Sequence, residues 1–247
     1  MIDLMQKNFK QFIGLGFNLY KVEVNRNFKI HNLNRIPIVF TSETTKSRNV
    51  FKRIELSSGR YALTPICSDP ELELILRVFT NKSTNLKVLS QDMPRENLLP
   101  FVSPKYPKFV TRITIISANI LERQDIFGCN YFDLDNSYFA ANPYCVFRCG
   151  RQVVKSSPIH ETLNPEWDYF SAIFYHNKFI SINVELWHHN LLIDYFMGRV
   201  EVLPKINTNA ENLTSIQELE LFSRKKERKV TGSVKLQVFT YENLLLL

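Results

Sequence analysis

Four cysteines carry the most reactive side chains of this sequence, because a cysteine thiolate can act as a nucleophile or as a metal ligand. They lie at Cys67, Cys129, Cys145 and Cys149, with no recognisable spacing pattern. His160 and Cys149 could meet by chance, yet neither lies in a glycine-rich nucleophile turn. Cys145 and Cys149 are four residues apart on one predicted strand, about 13 Å at the rise of a strand, so they should not pair. We therefore interpret the cysteines as small, buried or half-buried apolar residues.

Basic residues could recognise an anionic partner. The formal net charge of +7 arises unevenly, since residues 1–108 hold 17 Lys+Arg and 9 Asp+Glu, and residues 109–247 hold 14 and 15. The excess in the first part predicts an anionic membrane or an acidic protein as partner. Nucleic acid is not expected, because the chain has no RNA-binding aromatic motif, zinc-finger spacing or basic helix. The run SRKKERK at 223–229 could be an import signal or a heparin patch, but a loop before a last strand at 233–240 is favoured.

The elements that must position these residues are predicted to be strands. Apolar residues alternate with other residues at 72–79, 180–187 and 234–239, which is the period of a half-buried strand. Further candidate strands lie near 13–24, 37–41, 48–55, 60–66, 109–117, 143–149 and 197–203. Turn-forming residues at short intervals are typical of β-sandwiches, so the predicted fold class is all-β, with two antiparallel β-sandwiches in tandem. One short helix could lie within 209–217.

Length and composition allow one large or two modest domains. The chain has 247 residues, of which 45% are hydrophobic, so it can bury a core. The stretch 90–108 contains four prolines and no strand pattern, which indicates an extended linker where the charge also changes. We predict a first domain at 1–92, a proline-rich linker at 93–108 and a second domain at 109–247. No apolar run reaches about 18 residues, so no transmembrane segment is expected.

Two ordered sets of motifs resemble the calpain family. The first set resembles calpain domain III: LMQK (4–7), GFNLYKVE (16–23), RNVFKRIEL (48–56), GRYALTP (59–65) and LILRVFT (74–80). The second set resembles a C2 domain: VTRITIISANIL (110–121), NPYCVF (142–147), LNPEW (163–167) and VELWHHNLLIDYFMGRV (184–200). This order is similar to the C-terminal part of the atypical calpain-5/calpain-6 type. Because LMQK falls inside domain III, the resemblance implies an N-terminally truncated first domain and no protease core, so this chain is predicted not to be an enzyme.

The resemblance also implies a degenerate calcium site in the second domain. C2 domains that bind calcium collect about five carboxylates on loops at one end of the sandwich. At the matching positions this chain keeps Asp125 and Asp194 but has Asn142, His188 and Asn190 in place of acids. A long loop at 129–141 adds two carboxylates, Asp133 and Asp135, which either replace the lost ligands or form a solvated insertion. Calcium is therefore the candidate cofactor, and we expect it to bind weakly or not at all.

Other surfaces are candidates for binding lipid. In C2 domains the hairpin after the Pro-Tyr strand often meets anionic headgroups, and here it carries Arg148, Arg151 and Lys155. Five aromatic residues between Asp125 and Asn142 could insert at an interface or pack as a loop core: Phe127, Tyr131, Phe132, Tyr138 and Phe139. In domain III the family's acidic loop matches 67–74, which holds only Asp69, Glu71 and Glu73. Since Glu71 and Glu73 are predicted to alternate along a strand, a single ion cage is not expected there.

The sequence therefore predicts a cytoplasmic, non-catalytic regulatory or targeting module, with peripheral membrane attachment as one option. It would bind an anionic membrane phospholipid surface or a protein partner reversibly, with weak or no calcium dependence. The alternative is the C-terminal fragment of a full-length calcium-dependent cysteine endopeptidase that acts in intracellular proteolysis. In that case a protease domain lies upstream and is a partner of these two domains.

Overall fold

The alternating segments form antiparallel strands in the computed structural model. The structure describes residues 1–7, 11–93, 107–120, 141–190, 192–207, 216–223 and 229–246, with the side chains of 229–231 left out. These residues divide into two compact units. The first unit consists of Met1–Val22 and Asn27–Gln91, and the second of Glu23–Arg26 and Asp92–Leu247.

The first unit is built from two small sheets. Its strands are β1 (Ile2–Gln6), β2 (Gly14–Val22), β3 (Ile38–Thr41), β4 (Thr45–Lys46), β5 (Asn49–Lys52), β6 (Arg60–Cys67) and β7 (Leu74–Val78). One sheet has the order β5-β1-β7, and in the other β2 pairs with β3, β4 and β6. Leu4 of β1, Phe17 of β2 and Val50 of β5 share one apolar core, so the two sheets enclose it. A single 3₁₀ turn at Leu33–Arg35 interrupts the described strands of this unit.

The second unit is one continuous path of eight strands. They are β8 (Phe109–Ile120), β9 (Pro143–Cys149), β10 (Gln152–Lys155), β11 (Glu166–His176), β12 (Ile182–His188), β13 (Tyr195–Val202), β14 (Gln217–Phe222) and β15 (Lys229–Tyr241). Their spatial order is β10-β9-β12-β13-β14-β15-β8-β11, with every pairing between these strands antiparallel. A 3₁₀ turn at Leu244–Leu246 follows β15.

One apolar core fills this second unit and explains why its strands alternate. Val184 of β12 and Leu236 of β15 are fully buried, as are Ile113 of β8 and Phe147 of β9. Inward side chains on strands from both ends of the path thus meet in one cluster, which is the packing of a β-sandwich. The predicted all-β, antiparallel fold class is confirmed.

Several strands did not stand out in the sequence. The sequence patterns indicated no strand at β1, β4, β10 or β14, and β11 contains a bulge. At that bulge Asp168 and Tyr169 have φ values of 46° and 57°, so the alternation of side chains is broken. The predicted helix at 209–217 falls almost wholly outside the described residues, as does most of the basic run at 223–229. In the described ranges, no helix is both long enough and apolar enough to cross a bilayer.

Candidate functional site

Three residues predicted to hold calcium come together at one end of the second unit. Asn142 immediately precedes β9, Asn190 follows β12, and Asp194 immediately precedes β13. The backbone connects the first two loops, since the His189 N–H donates to the Asn142 carbonyl oxygen at 2.8 Å. The Asn142 N–H in turn donates to Nδ1 of the buried His188 at 2.9 Å. The two loops are therefore fixed to each other by the protein's own hydrogen bonds.

The Asp194 carboxylate is the centre of this loop end. Its Oδ2 accepts the Tyr144 hydroxyl at 2.7 Å. Its Oδ1 accepts the Asn190 N–H at 3.2 Å and pairs with Nδ1 of His189 at 3.1 Å. The hydrogen bond from Tyr144 lowers the pKa of Asp194, against the opposing effect of burial and with help from Asn190 and His189. Burial, together with this carboxylate, raises the pKa of Tyr144. Asp194 is thus an ionised group whose oxygens already have three protein partners.

Asn142 is engaged as well. Its side-chain Oδ1 accepts the backbone N–H of Glu161 at 2.9 Å, which joins the loop after β10 to the start of β9. In the portion of the chain that the structure describes, no three His, Cys, Asp or Glu side chains are grouped so that they could hold a metal ion. Asp125, Asp133 and Asp135, like the aromatic residues of the long loop, lie outside the described residues. Their part in a calcium site stays a prediction.

The acidic stretch of the first unit differs from its expected form. Residues Pro70 and Glu71 form a turn, and the Glu71 N–H donates to Oδ1 of Asp69 at 2.9 Å. Glu73 precedes β7 and pairs with Lys7 at 2.8 Å, which raises the pKa of Lys7 and lowers that of Glu73 through their hydrogen bond. The prediction that Glu71 and Glu73 alternate along a strand is wrong, because the turn that follows Asp69 delays the start of β7.

The predicted basic hairpin is formed by β9 and β10. Gly150 lies in its turn with a φ of 57°, the left-handed conformation that glycine adopts without strain. Arg151 and Lys155 are exposed, and the Lys155 ammonium lies 5.9 Å from the centre of the Tyr144 ring. Lys155 thus joins the hairpin to the tyrosine that binds Asp194.

Arg148 differs from the other two basic residues because it forms an ion pair. Its Nε lies 3.0 Å from Oε2 of Glu185 on β12, and the side chains are 40% and 13% exposed. The Trp187 indole N–H donates to the same oxygen at 2.9 Å. Neighbouring Glu185 therefore offsets the Arg148 charge locally, and Lys155 is the better candidate for an anionic partner at this loop end.

The sequence prediction missed two apolar residues at this loop end. Leu192 is 89% exposed and Ile193 is 62% exposed, directly before Asp194. Both lie between β12 and β13 on the loop held by the Asp194 hydrogen bonds. The signal was the run Leu-Leu-Ile after His189-Asn190, where a loop between two strands is usually polar.

The described cysteines are poorly suited to act as nucleophiles. Cys145 and Cys149 point into the core of the second unit, and burial raises the pKa of both thiols, that of Cys149 to about 11. Cys67, Cys145 and Cys149 are free thiols in the described part of the chain. Cys129 lies outside the described residues.

Comparison with known families agrees with this fold. Residues 110–219 match the C2 domain family, and residues 1–79 match the family described as calpain large subunit, domain III. Residues 1–79 are therefore similar to calpain domain III and residues 110–219 to a C2 domain, and no protease domain is among these matches. This combination confirms the predicted resemblance to the C-terminal part of an atypical calpain.

The individual relatives are calpains of the same type. The chain is 31% identical to calpain-5 of Rattus norvegicus and of Mus musculus, over 86% of this chain and 30% of each relative. It thus spans about a third of the length of the curated relatives it matches. Among solved structures, the calcium-bound tandem C2 domains of extended-synaptotagmin 2 are 22% identical, with a TM-score of 0.40 over 53% of this chain and 45% of that chain.

Proposed function

We propose that this chain is a non-catalytic targeting module that binds anionic membrane surfaces reversibly, with weak or no calcium dependence. The observation that carries the proposal is the loop end around Asp194. There an ionised carboxylate accepts hydrogen bonds from Tyr144 and Asn190, and it fixes a loop whose two apolar residues are exposed. Such a module would lie in the cytoplasm and attach to membranes peripherally.

Weak calcium binding follows from the chemistry of the ligands. Calcium takes about six to eight oxygen ligands, and its affinity rises with the number of carboxylates. Of the three predicted ligands that the structure describes, only Asp194 carries a charge, and Asn142 and Asn190 bring amides. A calcium ion would also compete with the Tyr144 hydroxyl for Oδ2 of Asp194. These costs oppose tight binding unless Asp125, Asp133 and Asp135 contribute.

Membrane attachment would combine two weak interactions, the burial of apolar side chains and the attraction of basic residues to anionic lipid. Leu192 and Ile193 can bury apolar surface in the headgroup region, where full burial of such a side chain contributes about 1.5–3 kcal/mol. Each basic residue close to an anionic leaflet adds about 1 kcal/mol. Lys155 is exposed and lies beside Tyr144 near this loop end, whereas Arg151 follows the opposite end of β9. Neither interaction alone is sufficient for stable anchoring, so the attachment would be reversible.

Cosedimentation with vesicles tests this proposal. The chain should pellet with vesicles of phosphatidylcholine and phosphatidylserine, and much less with phosphatidylcholine alone. Lys155→Ala should weaken binding more than Arg148→Ala, because Arg148 already pairs with Glu185, and more than Arg151→Ala, because Arg151 lies beyond the opposite end of β9. Absence of binding to both vesicle types would refute the membrane proposal and favour a protein partner. Equal loss in the Arg148 or Arg151 variant would refute the assignment of Lys155 to the membrane contact.

The length of the relatives favours a second candidate. Since the matched calpain-5 sequences are much longer than this chain, the two domains could serve as the regulatory end of a calcium-dependent cysteine endopeptidase. The protease domain would then be a partner in the same polypeptide, and the buried thiols of Cys145 and Cys149 would take no part in its chemistry. Transcript sequence upstream of Met1 decides this, because it either encodes a protease core or does not.

A further inference from the structure

Four residues that follow β2 in the chain, Glu23–Arg26, belong to the second unit and lie on β11. We name this segment the strap. The Val24 N–H donates to the Ser171 carbonyl oxygen at 3.0 Å. The Asn25 side-chain amide donates to the Ile173 carbonyl oxygen at 2.6 Å and accepts the Ile173 N–H at 2.8 Å. The strap therefore binds, through one backbone bond and two bonds of the Asn25 side chain, backbone groups of β11 that a neighbouring strand would otherwise use.

The position of β11 explains why such bonds are needed. β11 is the last strand in the order of the eight-stranded sheet, with β8 on its other side. An edge strand presents backbone donors and acceptors that can pair with another chain. The segment 170–175, Phe-Ser-Ala-Ile-Phe-Tyr, has no charge and no proline, which is the composition that favours such pairing. The strap covers this edge at Ser171 and Ile173.

Charged side chains hold the strap in place. Glu23 is 1% exposed, and its Oε2 lies 2.6 Å from Nε of Arg26, which is fully buried. The Glu23 Oε1 lies 3.8 Å from the guanidinium of Arg112 on β8, directly opposite Ile173 in the register. Burial tends to raise the pKa of Glu23, but the charges and hydrogen bonds of Arg26 and Arg112 outweigh it and lower the pKa. The partly buried Val24 also packs against the apolar core of this unit.

We propose that the outer edge of β11 is a strand-addition site, that the strap is its built-in occupant, and that the strap prevents β11 from pairing with β11 of a second copy of this chain. The β11 edges of two copies of this chain can pair with each other in antiparallel fashion about a two-fold axis. A second copy therefore competes with the strap for the edge of β11. The site recognises an extended segment with a Glu-x-Asn-Arg pattern. Its carboxylate meets Arg112, and its amide meets the backbone of Ile173.

Amide hydrogen exchange of the full chain tests whether the strap covers the edge of β11. Asn25→Ala removes the acceptor of the Ile173 N–H, so this amide should exchange faster by about tenfold or more. Asn25→Asp keeps an acceptor for the Ile173 N–H but loses the donor to the Ile173 carbonyl oxygen, so the Ile173 amide should exchange at a rate between those of the original chain and Asn25→Ala. Asn27→Ala is the matched control, because Asn27 is exposed and lies outside the strap. An unchanged Ile173 amide in Asn25→Ala, or equal acceleration in Asn27→Ala, would overturn the role of the strap.

Sedimentation velocity of the same variants tests whether the strap prevents two copies of the chain from pairing through β11. Asn25→Ala should form a dimer as its concentration rises, and a synthetic peptide of residues 20–29 added in excess should return it to the monomer. The original chain and Asn27→Ala should show no such shift over the same range. An Asn25→Ala protein that has a fast Ile173 amide yet stays monomeric at every concentration would overturn the proposed guard against self-pairing.

Discussion

Replacing the two exposed apolar residues of the loop before β13 should weaken membrane binding strongly. Leu192 is 89% exposed and Ile193 is 62% exposed, so nearly all of the first side chain and more than half of the second remain to be buried. Full burial of each side chain contributes about 1.5–3 kcal/mol, so the exposed parts together could contribute about 2–4 kcal/mol. Leu192→Asn with Ile193→Asn should therefore lower the partition coefficient on anionic vesicles by about 30-fold or more.

The chain offers a matched control for this experiment. Leu203 is 72% exposed and follows the other end of β13, so Leu203→Asn removes a similar apolar surface far from the loop end along that strand. All three sites are exposed, so the substitutions should change the free energy of unfolding by less than about 0.5 kcal/mol. A vesicle titration of each variant gives the partition coefficient. Unchanged binding of the loop variant, or an equal loss for Leu203→Asn, would refute the insertion of this loop.

Three further predictions address calcium, pH and the buried charges. Asn142→Asp with Asn190→Asp should raise calcium affinity at least about tenfold, because calcium affinity rises with the number of carboxylate ligands. If calorimetry shows no gain in affinity, the interpretation of this site as degenerate is contradicted. Burial lowers the pKa of His176 below its ordinary 6.5, against a hydrogen bond with the Lys178 carbonyl, so the unfolded chain takes up this proton first as the pH falls. The free energy of unfolding, measured with urea, should therefore decrease below about pH 6.5. The decrease should be less steep in His176→Gln. Parallel pH profiles of the original chain and His176→Gln would argue against a contribution from His176. Glu23→Gln removes the carboxylate charge of a buried ion pair and should lower the free energy of unfolding in urea by about 3–5 kcal/mol. A decrease of less than about 1 kcal/mol would contradict a net stabilising role of the Glu23 charge.

The sequence was most informative where burial imposes a simple period. Strands β12 and β15 bury every second residue in one core, and Val184 and Leu236 of the two strands are fully buried as their alternation predicts. β11 was harder to predict because its bulge places Asp168 and Tyr169 in left-handed conformations that interrupt the alternation. A local pattern therefore identifies a strand only where its backbone stays regular.

The candidate site was predicted in part for a related reason. The predicted residues Asn142, Asn190 and Asp194 lie at one end of the second unit, because Asn142 and Asp194 immediately precede recognisable strands and Asn190 follows one. The hydrogen bond of Asp194 with Tyr144 spans 50 positions, and that of Asn25 with Ile173 spans 148. Such contacts depend on the tertiary pairing of strands, which a single sequence does not reveal. For this reason the sequence did not indicate that side-chain and backbone groups of the protein already hydrogen-bond to the Asp194 carboxylate.

A calcium titration of membrane binding tests the central claim most directly. The fraction of the chain bound to phosphatidylcholine–phosphatidylserine vesicles should be the same in the presence of calcium and of a chelator, because protein donors already satisfy Asp194. Binding that appears only with calcium would contradict the account, since it would require the loop end to gather a full set of metal ligands.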